Sequence, residues 1–219
     1  MLQEEISTKL AKYLLEVKAV QLNPTNPFTW ASGLRSPIYC DNRVTLSFPH
    51  VRNFIRDCLV NVIVSQFEDV DYIAGVATAG IPQGVLIASE LEKPFIYVRP
   101  EPKKHGMKNT VEGYLREGAK VLLIEDLVST GKSSMAAAQN LINAGAEVVG
   151  LISVFTYGLP IAYRIFDEAR IPFYSLLNYQ DLIQYALSAN ILSKQELSEL
   201  EAWSKDPQAW SDLYLAKTT

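Results

Sequence analysis

An α/β fold with a central parallel sheet flanked by helices is the architecture this sequence predicts, and three observations carry the prediction. Val121, Leu122, Leu123 and Ile124 form a continuous apolar run, the pattern of a parallel strand covered on both faces. A helical stretch from Met135 to Asn143 and a further apolar run over residues 148–157 follow it, a strand, helix, strand unit that requires parallel pairing. Residues 71–80, followed by the helical pattern of 81–91, supply another strand that packs its helix back on the sheet. At 219 residues, 48% hydrophobic and 20% charged, the chain can bury a full core; with no internal repeat or linker-like shift in composition, residues 1–219 read as one unit.

Taken in order, residues 2–15 place Leu2, Ile6, Leu10, Tyr13 and Leu14 near helical spacing with charge between them, an amphipathic helix. Residues 23–42 are crowded with Pro24, Pro27, Gly33 and Pro37, which suits a shaped loop with short strands. Residue types alone fit a turn that tucks Phe28 and Trp30 inward as well as a segment that covers a ligand. Residues 49–67 form a second amphipathic helix with Phe54, Ile55, Leu59, Val62 and Ile63 on its buried side. The stretch DYIAGVATAG over 71–80 ends in a tight turn, where small Thr78, Ala79 and Gly80 either let backbone N–H groups approach an anion or serve geometry alone.

Residues 94–99 are a short strand. Beyond it, residues 100–113 gather Lys103, Lys104, His105 and Lys108 with almost no apolar anchor, the composition of a solvated basic loop or of a lid over a polyanion. Residues 111–115 and 118–124 are expected to pair as a hairpin around 116–118. Gly145 fits the position just past the end of the helix that runs to Asn143. The remaining third adds a strand at 173–177, a helix at 179–189, a helix opened by Ser193 and Glu196 as a capping box, and a last helix started by Asp206 and Pro207.

The chemistry is concentrated in VLLIEDLVSTGKSS, residues 121–134. Glu125 and Asp126 stand at the carboxyl end of the apolar run, the end at which open α/β sheets bind ligands. Ser129, Thr130, Gly131, Lys132 and Ser133 then offer hydroxyls and closely spaced backbone N–H groups ahead of a helix N-terminus that favours an anion. Two carboxylates would repel a bare phosphate, so they call for sugar hydroxyls or a shared divalent cation, and the implied ligand is a phosphorylated sugar. Gly131, Lys132 and Ser133 reproduce the end of a nucleotide-binding P-loop, but that motif needs a glycine where Asp126 stands.

IEDLVSTGKSS resembles the phosphoribosyl pyrophosphate (PRPP) signature of type I phosphoribosyltransferases. FTWASGLRSPIYCDNR over 28–43 is similar to the N-terminal segment of orotate phosphoribosyltransferases, and RPEPKKHG over 99–106 resembles that family's mobile catalytic loop. The resemblance implies the type I phosphoribosyltransferase fold, with a core over about residues 45–160 and a hood built from about 1–44 with contributions from 161–219. It implies a PRPP site made of Arg99, Lys103, His105, Glu125, Asp126, Leu127, Val128, Ser129, Thr130, Gly131, Lys132 and Ser133, with Lys103, His105 and Asp126 serving catalysis and Ser129 touching orotate. It also implies Mg²⁺ held mainly through PRPP rather than by protein ligands, and a homodimer whose loops reach into each other's sites. Three departures stand out: Ala31 where many members carry lysine, Tyr157 where some carry arginine, and Pro100 in the loop; Arg35 is close enough in sequence to supply a cation to the base.

The implied activity is transfer of the phosphoribosyl group from PRPP to orotate in pyrimidine nucleotide synthesis, without a covalent nucleophile. The rivals are a transferase for another base and a PRPP-sensing regulator without catalysis. A net charge of −4 and a pI near 5.3 argue against nucleic acid as a partner. Residues 1–20 carry Glu4, Glu5, Lys9, Lys12, Glu16 and Lys18 rather than a signal-peptide core, and no run spans a bilayer, so a cytoplasmic protein without a membrane partner is expected. Cys40 and Cys58 read as reduced, structural thiols.

Overall fold

A computed structural model describes residues 3–30, 32–100 and 110–218. Its frame is a six-stranded sheet. In chain order the strands are β5 (Tyr72–Val76), β6 (Phe95–Val98), β7 (Val111–Glu112), β8 (Lys120–Val128), β9 (Glu147–Thr156) and β10 (Phe173–Asn178), and in space they run β10-β9-β8-β5-β6-β7. All neighbours are parallel except β6 and β7. The chain ahead of the sheet forms helix α1 (Gln3–Glu16), the short strands β1 (Val20–Leu22), β2 (Phe28–Thr29), β3 (Arg35–Ser36) and β4 (Ile38–Cys40), a 3-10 segment over Asn42–Ser47, and helix α2 (Pro49–Gln66). Helices α3 (Gly80–Glu90), α4 (Lys132–Asn143) and α5 (Pro160–Ala169) connect the sheet strands, and α6 (Tyr179–Ser188), α7 (Lys194–Lys205) and α8 (Pro207–Thr218) follow it.

The continuous apolar run of β8 is explained by two cores. Leu122 and Ile124 face one side, with Ile55 and Leu59 of α2 and Ile87 of α3 in the same cluster; Val121 and Leu123 face the other, with Ala137 and Leu141 of α4 and Phe166 of α5. Successive side chains alternate between faces, so a strand covered on both sides must be apolar at every position. The order of strands reverses between β5 and β8, which puts the turn after β5 and the loop after β8 side by side at the carboxyl edge. Pairing with β5 stops at Ile124 opposite Gly75, whereas pairing with β9 continues to Val128 opposite Thr156. The last residues of β8 therefore keep one edge open toward that crevice.

Two expectations need correcting. Residues 111–115 do not pair with 118–124: β7 pairs antiparallel with β6, Val111 opposite Val98 and Glu112 opposite Tyr97. Both edges of β8 are occupied by parallel neighbours, so the hairpin closes one strand earlier, where the Arg99 N–H donates to the Thr110 carbonyl at 2.8 Å. Helix α4 also begins at Lys132 rather than Met135, so Lys132, Ser133 and Ser134 are its first turn. Helix α5 had no counterpart in the sequence reading, although Pro160 at its start and the buried Ala162 and Phe166 are its signals. Gly145 lies past the end of α4 with φ +88°, and the Ser193 and Glu196 capping box forms as expected.

Candidate active site

Glu125 and Asp126 occupy the open-edged end of β8, and the structure treats them differently. Glu125 is buried; its Oε2 accepts from Ser134 Oγ at 3.2 Å and its Oε1 from the Asp126 N–H at 3.1 Å. Asp126 is half-buried, and its carbonyl accepts from Asn42 Nδ2 at 2.6 Å. Burial pushes the Glu125 carboxyl well above the usual range, and the adjacent Asp126 charge adds to it. Burial raises Asp126 as well, against the hydrogen bonds it receives and the nearby Arg43 charge. Glu125, deeper and with both oxygens engaged, is the first of the pair to take a proton; Asp126 is the carboxylate presented to a ligand.

The helix N-terminus is ready for an anion. Gly131 caps α4 with φ +78°, a left-handed conformation that favours glycine, and no side chain bonds into the first turn from the cap. A Cβ there would also come within 3.2 Å of the Phe166 ring. The leading N–H groups of α4 thus remain available at the positive end of the helix dipole. Beside them is the turn joining β5 to α3, where Gly80 passes so close to the Ile124 carbonyl that any Cβ would collide with it. Close approach, not a ligand, is what demands this glycine; it brings the N-terminus of α3 against the acid pair.

Arg99 follows β6 at the same edge of the sheet. Its guanidinium lies 3.8 Å from Glu112 and near the Tyr97 ring, and Asn140 of α4 donates to its carbonyl at 2.8 Å. Lys103, Lys104 and His105, with Ala31, lie outside the described residues.

Next to the acid pair opens a cleft of about 580 Å³ lined by Thr29, Trp30, Ser32, Tyr39, Cys40, Leu127, Ser129 and Tyr157. Trp30 and Tyr157 are in contact, ring centroids 5.3 Å apart, and Trp30 Nε1 donates to the Ile38 carbonyl at 3.2 Å. Burial raises the Tyr157 phenol well above its usual range, so it stays protonated, and its hydroxyl has no hydrogen-bond partner among the described residues. Burial likewise raises the Cys40 thiol, with the Asp126 and Asp41 charges adding to it. The described lining carries no charged side chain, and its aromatic walls with scattered hydroxyls suit a planar heterocycle.

An open helix N-terminus beside an acid pair and an uncharged cleft is the arrangement on which this chain can be compared with known proteins. The phosphoribosyl transferase domain family matches residues 50–172. The orotate phosphoribosyltransferase of Cytophaga hutchinsonii is 50% identical over 202 residues, 92% of this chain and 97% of that protein; that of Phocaeicola vulgatus is 48% identical over 200 residues, 91% and 94% of the two chains. The chain belongs to the orotate phosphoribosyltransferase family. Among solved structures, the Aeropyrum pernix orotate phosphoribosyltransferase superimposes with a TM-score of 0.72 at 27% identity, covering 84% of this chain and 99% of that one. Leishmania donovani UMP synthase gives 0.76 at 27% identity, with 91% of this chain matching 42% of that longer protein. The type I phosphoribosyltransferase fold expected from the sequence is the fold observed.

Within this family's frame, Glu125, Asp126, Leu127, Val128, Ser129, Thr130, Gly131, Lys132 and Ser133 form one continuous rim, and Arg99 stands at the same sheet edge. Arg35 is not among the described residues lining this cleft, and its backbone N–H donates to Ser211 Oγ of α8 at 2.9 Å. Cys58 is a buried core thiol, whereas Cys40 is part of the cleft wall. Sequence reasoning missed Asn42, Ser134 and Asn140. Ser134 repeats the hydroxyl pattern of its neighbours, but Asn42 and Asn140 meet their partners only after folding, 84 and 41 residues away.

Proposed function

We propose that the chain transfers the 5-phosphoribosyl group of PRPP to orotate, releasing pyrophosphate and forming orotidine 5′-monophosphate, a step of pyrimidine nucleotide synthesis. The observation that carries this reading is the position of Ser129, which belongs to the loop opening the anion-binding helix and also lines the base cleft. A sugar held by its phosphate at α4 then presents its anomeric carbon to a ring lodged against Trp30, Tyr39 and Tyr157.

Breaking the bond at ribose C1 builds positive charge on the sugar and negative charge on the leaving pyrophosphate. Asp126 accepts hydrogen bonds from the ribose hydroxyls and lends its negative charge to the sugar side. Glu125, braced by Ser134, orients it from behind. Thr130, Gly131, Lys132 and Ser133 hold the 5′-phosphate with hydroxyls and backbone N–H groups. Leu127 and Val128 contribute backbone to the same loop, and Ser129 meets the base. Arg99, Lys103 and His105 offset the charge of the departing pyrophosphate.

Mg²⁺ fits this donor set in a limited way. Both Glu125 oxygens are engaged within the protein, which leaves Asp126 as the carboxylate of the pair beside PRPP, and the ion would be held mainly by PRPP. When bound, Mg²⁺ neutralises pyrophosphate charge and orients it. A homodimer with shared sites and a cytoplasmic location complete the proposal; among the described residues no helix is long and apolar enough to cross a membrane.

The test is loss of orotate absorbance on adding PRPP and Mg²⁺, with a metal-free control. Metal-dependent loss is expected, and no loss with folded protein sinks the reading. A transferase for an uncharged base is the second reading, favoured by the uncharged described lining of the cleft. Pyrophosphate release measured across a panel of bases separates the two.

A further inference from the structure

The base cleft is supported from behind by the helices that follow the sheet. Trp203 of α7 is fully buried and meets two of the cleft's walls edge-on, Trp30 and Tyr157, each with ring centroids 5.7 Å away, yet it does not itself line the cleft. Its indole Nε1 has no hydrogen-bond partner among the described residues, so the ring serves by shape alone. Helix α7 is tied to the sheet end by the Tyr179 hydroxyl, which donates to the Leu200 carbonyl at 3.0 Å. Helix α8 is tied to α7 by Trp210 Nε1, which donates to Glu199 Oε2 at 3.3 Å. From α8, the buried Ser211 reaches across 176 residues of sequence to accept the Arg35 N–H at 2.9 Å, holding β3 and therefore its partner β2, which leads into Trp30.

We propose that the α7 and α8 helices position the walls of the base cleft through Trp203 and Ser211, so that the chain's C-terminal end sets the affinity for the base and leaves the PRPP site alone. Both are positioning residues, and the proposal rests on the transferase reading above. The β2 and β3 ribbon is too short to hold itself: it has Phe28 opposite Ser36, Thr29 opposite Arg35, and a Trp30 to Leu34 bond beyond them. Without its outer bond to α8, an N–H in a partly buried site loses its partner and the ribbon loses its anchor. The acid pair draws its own bonds from Ser134, Asn42 and the backbone, none of which involves α7 or α8.

The experiment compares Ser211→Ala, Ser211→Thr and Trp203→Phe with the wild type, by hydrogen exchange and by steady-state kinetics. In Ser211→Ala, amides of residues 28–36 should exchange faster while those of 120–134 keep wild-type protection. The KM for orotate should rise about tenfold, as loss of a buried hydrogen bond allows, with the KM for PRPP and kcat within about twofold. Ser211→Thr keeps the hydroxyl and should restore both readouts; Trp203→Phe, which cuts no hydrogen bond, should raise the orotate KM alone. Unchanged exchange in 28–36, or orotate and PRPP constants that move together in folded variants, overturns the proposal. The exchange comparison decides even in a preparation that leaves orotate untouched, a result that strikes only the transferase reading.

Discussion

The end of this site proposed for the phosphate and the end proposed for the base are built in opposite ways. The end proposed for the phosphate is drawn mainly from one piece of chain, a strand, a turn and a helix over residues 121–134, braced by the Ser134 to Glu125 bond, shaped by Gly131 and met from outside by Asn42 at the Asp126 carbonyl. The base end is assembled from segments around residues 29–40, 127–129 and 157, and it rests on residues 203 and 211. A mostly contiguous site leans chiefly on local geometry. A composite one needs the whole fold, and it is there that sequences can diverge in what they bind while keeping the same phosphate chemistry.

Substitutions at the two ends should therefore separate PRPP constants from orotate constants. The largest effect is expected for Lys103→Ala, with turnover falling about a hundredfold or more and the KM for PRPP moving only a few-fold, because its charge acts on the leaving group; equal losses in both, measured by initial rates, would blur the division. Asp126→Asn should raise the PRPP KM about tenfold, since an amide accepts fewer bonds from ribose hydroxyls, while orotate binding stays put. Tyr157→Phe tests the other end: removing one neutral donor should raise the orotate KM about three- to fivefold with the PRPP KM unmoved.

The smallest effect concerns stability. Glu125 has its pKa raised on folding, so its ionised form weakens the fold as pH climbs through the raised value, and that cost vanishes below the unfolded one. Glu125→Gln should accordingly raise Tm by about 2–4 °C at neutral pH, a gain that shrinks toward pH 4.5 in thermal melts. A constant gain across that range would mean that the carboxyl titrates normally.

What could be read from the sequence follows the same division. Residues 121–134 were legible because apolar run, carboxylates and small polar residues follow one another directly, and the Ser193 capping box because its two partners stand three residues apart. The pairing of 111–115 was misread because proximity in sequence favoured β8, whereas pairing was decided by which strand edges were still free. The roles of Asn42 and Trp203 were invisible: an asparagine in a turn and a tryptophan on an amphipathic helix look ordinary until their distant partners are known. The bond from the Arg35 backbone N–H to Ser211 was equally invisible, since its partner stands 176 residues away.

The closure of β6 on β7 has a consequence for engineering. Because the Arg99 to Thr110 bond and the Val98 to Val111 register fix where residues 101–109 leave and re-enter the sheet, that insert can be lengthened or exchanged without asking the frame to move. Doubling the length of a segment that joins two fixed ends costs only about 0.6 kcal/mol in closure entropy, so chimeras carrying a relative's segment at this junction should fold as the parent does. The pair of strands is a socket, and loops from different enzymes can be compared in it on equal terms.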